Sequence, residues 1–84
     1  MKVEINIETY TTAAFRAIRP AIVEADLCNI GVNTFTIFAI IRYEDYPYLV
    51  DLVAHAAAKA KVHRSEYSIV TIKNIPEDDN QKSI

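Results

Sequence analysis

In residues 32–43, VNTFTIFAIIRY, large apolar side chains occupy both alternating sets of positions. Read as one strand, the stretch places Phe35, Ile37, Ala39, Ile41 and Tyr43 on one face and Thr34, Thr36, Phe38, Ile40 and Arg42 on the other. A strand apolar on both sides belongs in the middle of a sheet. Residues 2–9 behave differently. Val3, Ile5 and Ile7 alternate with Lys2, Glu4, Asn6 and Glu8, the pattern of a strand with one face buried and one in water, expected at a sheet edge. A third strand is predicted over 66–75, with Tyr67 and Ile69 pointing one way and Val70 and Ile72 the other, and Pro76 ending it.

Two stretches between these strands repeat at the helical period. After Thr11 or Thr12, either of which can cap a first turn, Phe15, Ile18, Ile22 and Ala25 share a stripe with Ala14 and Ala21 beside it. Pro20 lies inside, so this helix is expected to kink, or to stop and restart, near Arg19. Gly31, the single glycine, is expected to close it in a left-handed conformation. The second helix is predicted over 47–62, with Leu49, Leu52, Val53, Ala56 and Ala60 buried. Tyr46 should be held out of the helix by Pro47, while Glu44 and Asp45 face the positive end of the helix dipole. The opposite side of this helix, Asp51, Ala54, His55 and Ala58, is small for a solvent face.

These elements predict a single α/β domain over 1–76, followed by a disordered acidic tail over 77–84. The expected architecture is an α+β two-layer sandwich in βαβαβ order, with a three-stranded sheet, the second strand central and both helices on one face. The other face would carry Phe38, Ile40, Val70 and Ile72, an apolar patch of a size that isolated small proteins avoid. A second copy of the chain is the expected cover, making these four residues a dimer interface. The rival strand order 2-1-3 would place one helix on each face and would need no partner.

Composition narrows the remaining possibilities. The 84 residues are 51% hydrophobic and 24% charged, which suits one small packed core. A net charge of -2 argues against non-specific attraction to phosphate backbones. Cys28 is the lone cysteine, which rules out an intrachain disulfide and two-cysteine metal motifs and fits a reducing, cytoplasmic setting. The charged, alternating start lacks the apolar run of a signal peptide, and no run approaches the roughly 20 residues of a membrane span.

Candidate chemistry is sparse. Asp51 and His55, four apart on a helix, could share a metal or act as an oriented base, but no further ligands have recognisable spacing. Cys28 could be a nucleophile only with a histidine close by in space, and its neighbours Leu27 and Ile30 make it read as a small buried hydrophobe instead. One glycine excludes glycine-rich phosphate loops, so no catalytic, metal or cofactor site is assigned. Lys59, Lys61 and Arg64, with His63 and Tyr67, and with Arg16 and Arg19 if the helices lie side by side, form a basic cluster that could hold a nucleic-acid backbone. Tyr43, Glu44, Asp45, Tyr46, Tyr48 and Asp51 gather at the strand-to-helix junction as a partner-binding surface. The expectation is a small non-catalytic accessory or inhibitory protein that binds another protein, works as a homodimer, and has the composition of many regulators and phage-encoded inhibitors. The alternatives are a nucleic-acid-binding regulator using Lys59, Lys61 and Arg64, or a small-ligand sensor, since three-stranded sandwiches resemble pieces of ferredoxin-like ligand-sensing domains.

Overall fold

The computed structural model describes residues 1–25 and 29–76. Its elements are β1 (Lys2–Thr9), α1 (Thr12–Ala25), β2 (Asn29–Asn33), β3 (Thr36–Arg42), α2 (Tyr46–Lys59) and β4 (Tyr67–Ile75), with 3-10 turns at Tyr43–Asp45 and Arg64–Glu66. The sheet is antiparallel throughout, in the order β2-β3-β1-β4. β1 and β2 both oppose β3, so they run the same way, as do β3 and β4. Each parallel pair is joined by a helix that passes over the strand between its members. Right-handed crossovers in opposite lateral directions from oppositely running strands put both helices on one face. The result is an α+β two-layer sandwich with the split βαβ connectivity of ferredoxin-like domains.

The core lies between that face and the helices. Val3, Ile5 and Ile7 from β1 and Ile37, Ala39 and Ile41 from β3 meet Ala14, Ile18 and Ile22 from α1 and Leu49, Val53 and Ala57 from α2. Each fully buried Ile or Leu contributes about 1.5–3 kcal/mol relative to exposure. Thr11 caps α1, its hydroxyl oxygen accepting from the Ala14 N–H at 3.1 Å. The same hydroxyl donates to Glu66 Oε1 at 2.7 Å and so fastens the start of α1 to the turn before β4.

Several expectations need correction. Residues 32–43 do not form one strand. The chain turns back at Thr34 and Phe35, so β2 and β3 make a hairpin in which Gly31 opposes Phe38 and Asn33 opposes Thr36. The sheet therefore has four strands, one more than expected. Thr34 supplies the turn by adopting φ 56°, a left-handed conformation uncommon outside glycine and asparagine. Tertiary contacts hold it there. Buried Thr9 donates to the Phe35 carbonyl from both its backbone N–H (3.0 Å) and its hydroxyl (2.6 Å), and the Phe15 ring of α1 packs 5.5 Å from the Phe35 ring. Gly31 consequently lies within a strand, with no positive φ.

β3 is interior, as its two apolar faces require, but β1 is interior too and not at an edge. The first strand thus lies between the other two that the sequence revealed. The inserted β2 still keeps both helices on one side, where a 2-1-3 order of parallel strands would have separated them. α1 runs unbroken through Pro20. Tyr46 is helical, φ -58° and ψ -48°, despite preceding Pro47, because the 3-10 turn of Tyr43–Asp45 leads straight into α2. α2 ends at Lys59 and buries Ala57 in place of Ala56 and Ala60. The tail over 77–84 and Cys28 lie outside the described residues.

Candidate interaction face

Opposite the helices, the sheet presents a surface that no element covers among the described residues. Its composition follows from the register. Glu4, Asn6 and Glu8 of β1 point away from the core, and Asn6 is paired on one side with Phe38 of β3 and on the other with Val70 of β4. Glu4 pairs with Ile40 and Lys73, Glu8 with Thr36 and Ser68, and Lys2 with Arg42 and Ile75. Phe38 and Val70 are 37% and 38% exposed, against complete burial for Ile37 and Ala39 one position away. Ile40 is half-buried, and Ile72, at a bulge where β4 slips against Glu4 and Ile5, is 46% exposed.

All four residues expected at an interface are therefore solvent-accessible, but the structure does not join them into one patch. β1 runs between them, leaving Phe38 and Ile40 on one flank of a polar ribbon and Val70 and Ile72 on the other. On its far side Phe38 is paired with Gly31, where an added Cβ would stand 3.8 Å from its ring.

Asn6, at the centre of this face, is the residue that sequence reasoning passed over. Its side-chain Oδ1 is shielded from solvent and has no hydrogen-bond partner. A shielded, unpaired amide oxygen costs about 1–3 kcal/mol. The available signal was the ribbon Lys2, Glu4, Asn6, Glu8, in which a neutral amide interrupts the charges. Glu8 is held in place at one end of the ribbon, accepting from Tyr10 Oη at 3.2 Å, while that hydroxyl also lies 2.7 Å from Ser68 Oγ.

The other candidate residues are more dispersed. At the strand-to-helix junction Tyr43 and Tyr48 are 57% and 55% exposed, Tyr46 packs against the core, and Asp45 is bound by Arg42 at 2.9 Å. Glu44 and Asp51 are exposed. Lys59, Lys61 and Arg64 are exposed at the far end of α2 and in the turn beyond it, with the Arg64 guanidinium 5.9 Å from the centre of the Tyr67 ring. A groove of about 390 Å³ opens there between Tyr46, Val50, Arg64, Tyr67 and Ile69. Another, of about 340 Å³, runs between the helices and is lined by Glu24 and Lys59 together with small residues. Asp51 and His55 are exposed on α2. Among the described residues no three His, Cys, Asp or Glu side chains converge as a metal site, and no helix is long and apolar enough to cross a membrane.

Glu66 has a displaced titration. The Thr11 hydroxyl, then the His63 backbone N–H at 2.8 Å, stabilise its carboxylate and lower its pKa, with a smaller contribution from the nearby His63 charge. This is a structural clasp between the start of α1 and the turn before β4. No protein-family model, curated protein or solved structure matches the chain.

Proposed function

We propose that this protein is a non-catalytic binding module that works as a homodimer, two copies covering each other's open sheet face. The observation that carries this reading is the accessibility of Phe38, Val70 and Ile72, with Ile40 beside them, on interior and edge strands of a sheet whose other face carries the packed core. Burying those side chains removes about 25 cal/mol for every Å² of apolar surface taken from water, and a two-fold pair does so twice with one set of residues. The dimer leaves the Tyr43–Asp45 turn, Tyr48 and Asp51 free at the end of β3 and the start of α2. This acidic, tyrosine-bearing surface is the one proposed to dock a partner protein, as an accessory or inhibitor in the cytoplasm.

Sedimentation equilibrium tests the first half of the reading. The wild-type chain should sediment as a dimer at micromolar concentration and Phe38→Glu as a monomer with an unchanged fold. A wild-type chain that stays monomeric at high concentration overturns the proposal.

A further inference from the structure

The sheet ends at β4, and along the outer edge of that strand no other strand pairs among the described residues. Thr9 donates its N–H to the Phe35 carbonyl on the β3 side, and Tyr10 donates its own to the Glu66 carbonyl at 2.8 Å on the β4 side. Backbone groups point alternately to the two sides of a strand, so β1 turns its even-numbered residues to β4. Their partners Ser68 and Val70 bond β1, and the alternate residues Tyr67, Ile69 and Thr71 present their N–H and C=O groups to the open edge.

That edge borders the groove of about 390 Å³ between β4 and α2. Tyr67 and Ile69 lie on the helix side of the sheet, since they pair with buried Thr9 and Ile7. Across the groove from them stand half-buried Tyr46 and Val50 of α2. Arg64 lines the end where β4 begins, exposed and without an ion pair among the described residues.

We infer that this groove takes an extended peptide segment of a partner protein, which adds to β4 as an antiparallel fifth strand and carries an apolar side chain followed two residues later by a carboxylate. The site is separate from the open sheet face, does not depend on the homodimer, and goes beyond the acidic docking surface proposed above.

The occupant follows from the edge, the register and the charge taken together. Unpaired N–H and C=O groups recurring at every second residue of a strand are matched by the backbone of another extended chain, while neighbouring pockets read its alternate side chains. The edge is also undefended where it meets the groove. Natural sheets blunt exposed edges with bulges, charges or proline, and β4 places all of these beyond Thr71, as the bulge, Lys73 and Pro76. Residues 67–71, YSIVT, keep a regular register and carry neither charge nor proline.

Antiparallel pairing is the more stable kind per residue, and it directs the carboxyl end of the peptide toward Arg64. A peptide residue opposite Ile69 exchanges both backbone bonds with it and projects its side chain the same way, toward Tyr46 and Val50. The residue two further on lies opposite Tyr67, over whose ring the Arg64 guanidinium sits at 5.9 Å. An apolar side chain suits the first position and a carboxylate the second, where Arg64 supplies a charge-assisted bond.

The test is fluorescence anisotropy of the full chain with an amidated hexapeptide, labelled at its amino end, that has leucine third, glutamate fifth and threonine elsewhere. It should bind saturably. Methylating the leucine amide nitrogen, which removes the donor to the Ile69 carbonyl, and exchanging the leucine and the glutamate should each weaken binding about tenfold, the loss expected for a missing bond of this kind. Arg64→Glu, with circular dichroism confirming its fold, should weaken binding by a similar factor, and lysine in place of the peptide's glutamate should restore it. Phe38→Glu should bind as the wild type does. The inference is overturned if the peptide fails to saturate at millimolar concentration, if the methylated or exchanged peptide binds as tightly as the first, or if the charge swap restores nothing. It is overturned equally if Phe38→Glu abolishes binding, which puts the peptide on the open face, or if affinity falls as protein concentration rises, which gives the β4 edge to a second copy.

Discussion

On the helix side of the sheet Ile5, Ile7, Ile37 and Ala39 have no exposure at all, while on its other side Phe38 and Val70 keep more than a third of theirs. Ile37 and Phe38 are both good strand formers and are adjacent in sequence. Their environments differ because alternate side chains emerge on opposite faces and the two helices, both carried by crossovers of one hand, can cover only one of them. The packed face holds the fold together. The open face holds apolar side chains that the monomer does not use, around an amide it does not satisfy.

That contrast can be broken most sharply on the packed side. Ile5→Ala or Ile18→Ala should lower unfolding stability by about 2–5 kcal/mol, as large-to-small changes in closed cores do, measured as a fall in the denaturant midpoint. A shift below about 1 kcal/mol would mean that the core is looser than complete burial of these residues implies. On the open side the same kind of truncation should act on association. Phe38→Ala should change monomer stability little, within about 1 kcal/mol, while weakening dimerisation at least tenfold by analytical ultracentrifugation. An equal loss of stability in a monomeric background would show that Phe38 serves the fold.

Smaller effects separate the clasp from both faces. Thr11→Ala removes the cap of α1 and should cost about 1 kcal/mol, read by thermal melting, with no change in oligomeric state. The acid limb of stability should carry the smallest signature. Because folding lowers the Glu66 pKa, its stabilising contribution is present above the ordinary carboxylate range and is lost as pH falls through that range and below. Glu66→Gln should therefore flatten the melting-temperature profile on the acid side and leave its neutral-to-basic part parallel to the wild type. An unchanged acid limb would discount the clasp.

Much of the fold was legible in the sequence for local reasons. The alternation of Val3, Ile5 and Ile7, the stripe of Ile18 and Ile22, and the apolar run through Ile41 each report which side of a regular element is buried, since the periods of 2 and 3.6 are properties of the backbone itself. The β2–β3 turn was hidden because Thr34 and Phe35 lack the glycine or asparagine that marks a tight hairpin. Thr9 and Phe15, distant in sequence, impose the turn instead. Gly31 was similarly misleading, since a glycine past a helix and a glycine opposite an aromatic ring look alike in one dimension.

The candidate face divides along the same line. The exposure of Phe38, Ile40, Val70 and Ile72 could be anticipated from alternation and from helices on one side only. Their separation by β1 could not, and neither could the position of Asn6 between Phe38 and Val70, because strand order is decided by which non-local pairings the whole chain can satisfy at once. The residues by themselves determined which side of each strand and helix is apolar, for that depends on spacing alone. Only the tertiary structure decided which strands are neighbours, and so which polar atom was left unpaired among which apolar side chains, for that depends on the closure of the sheet.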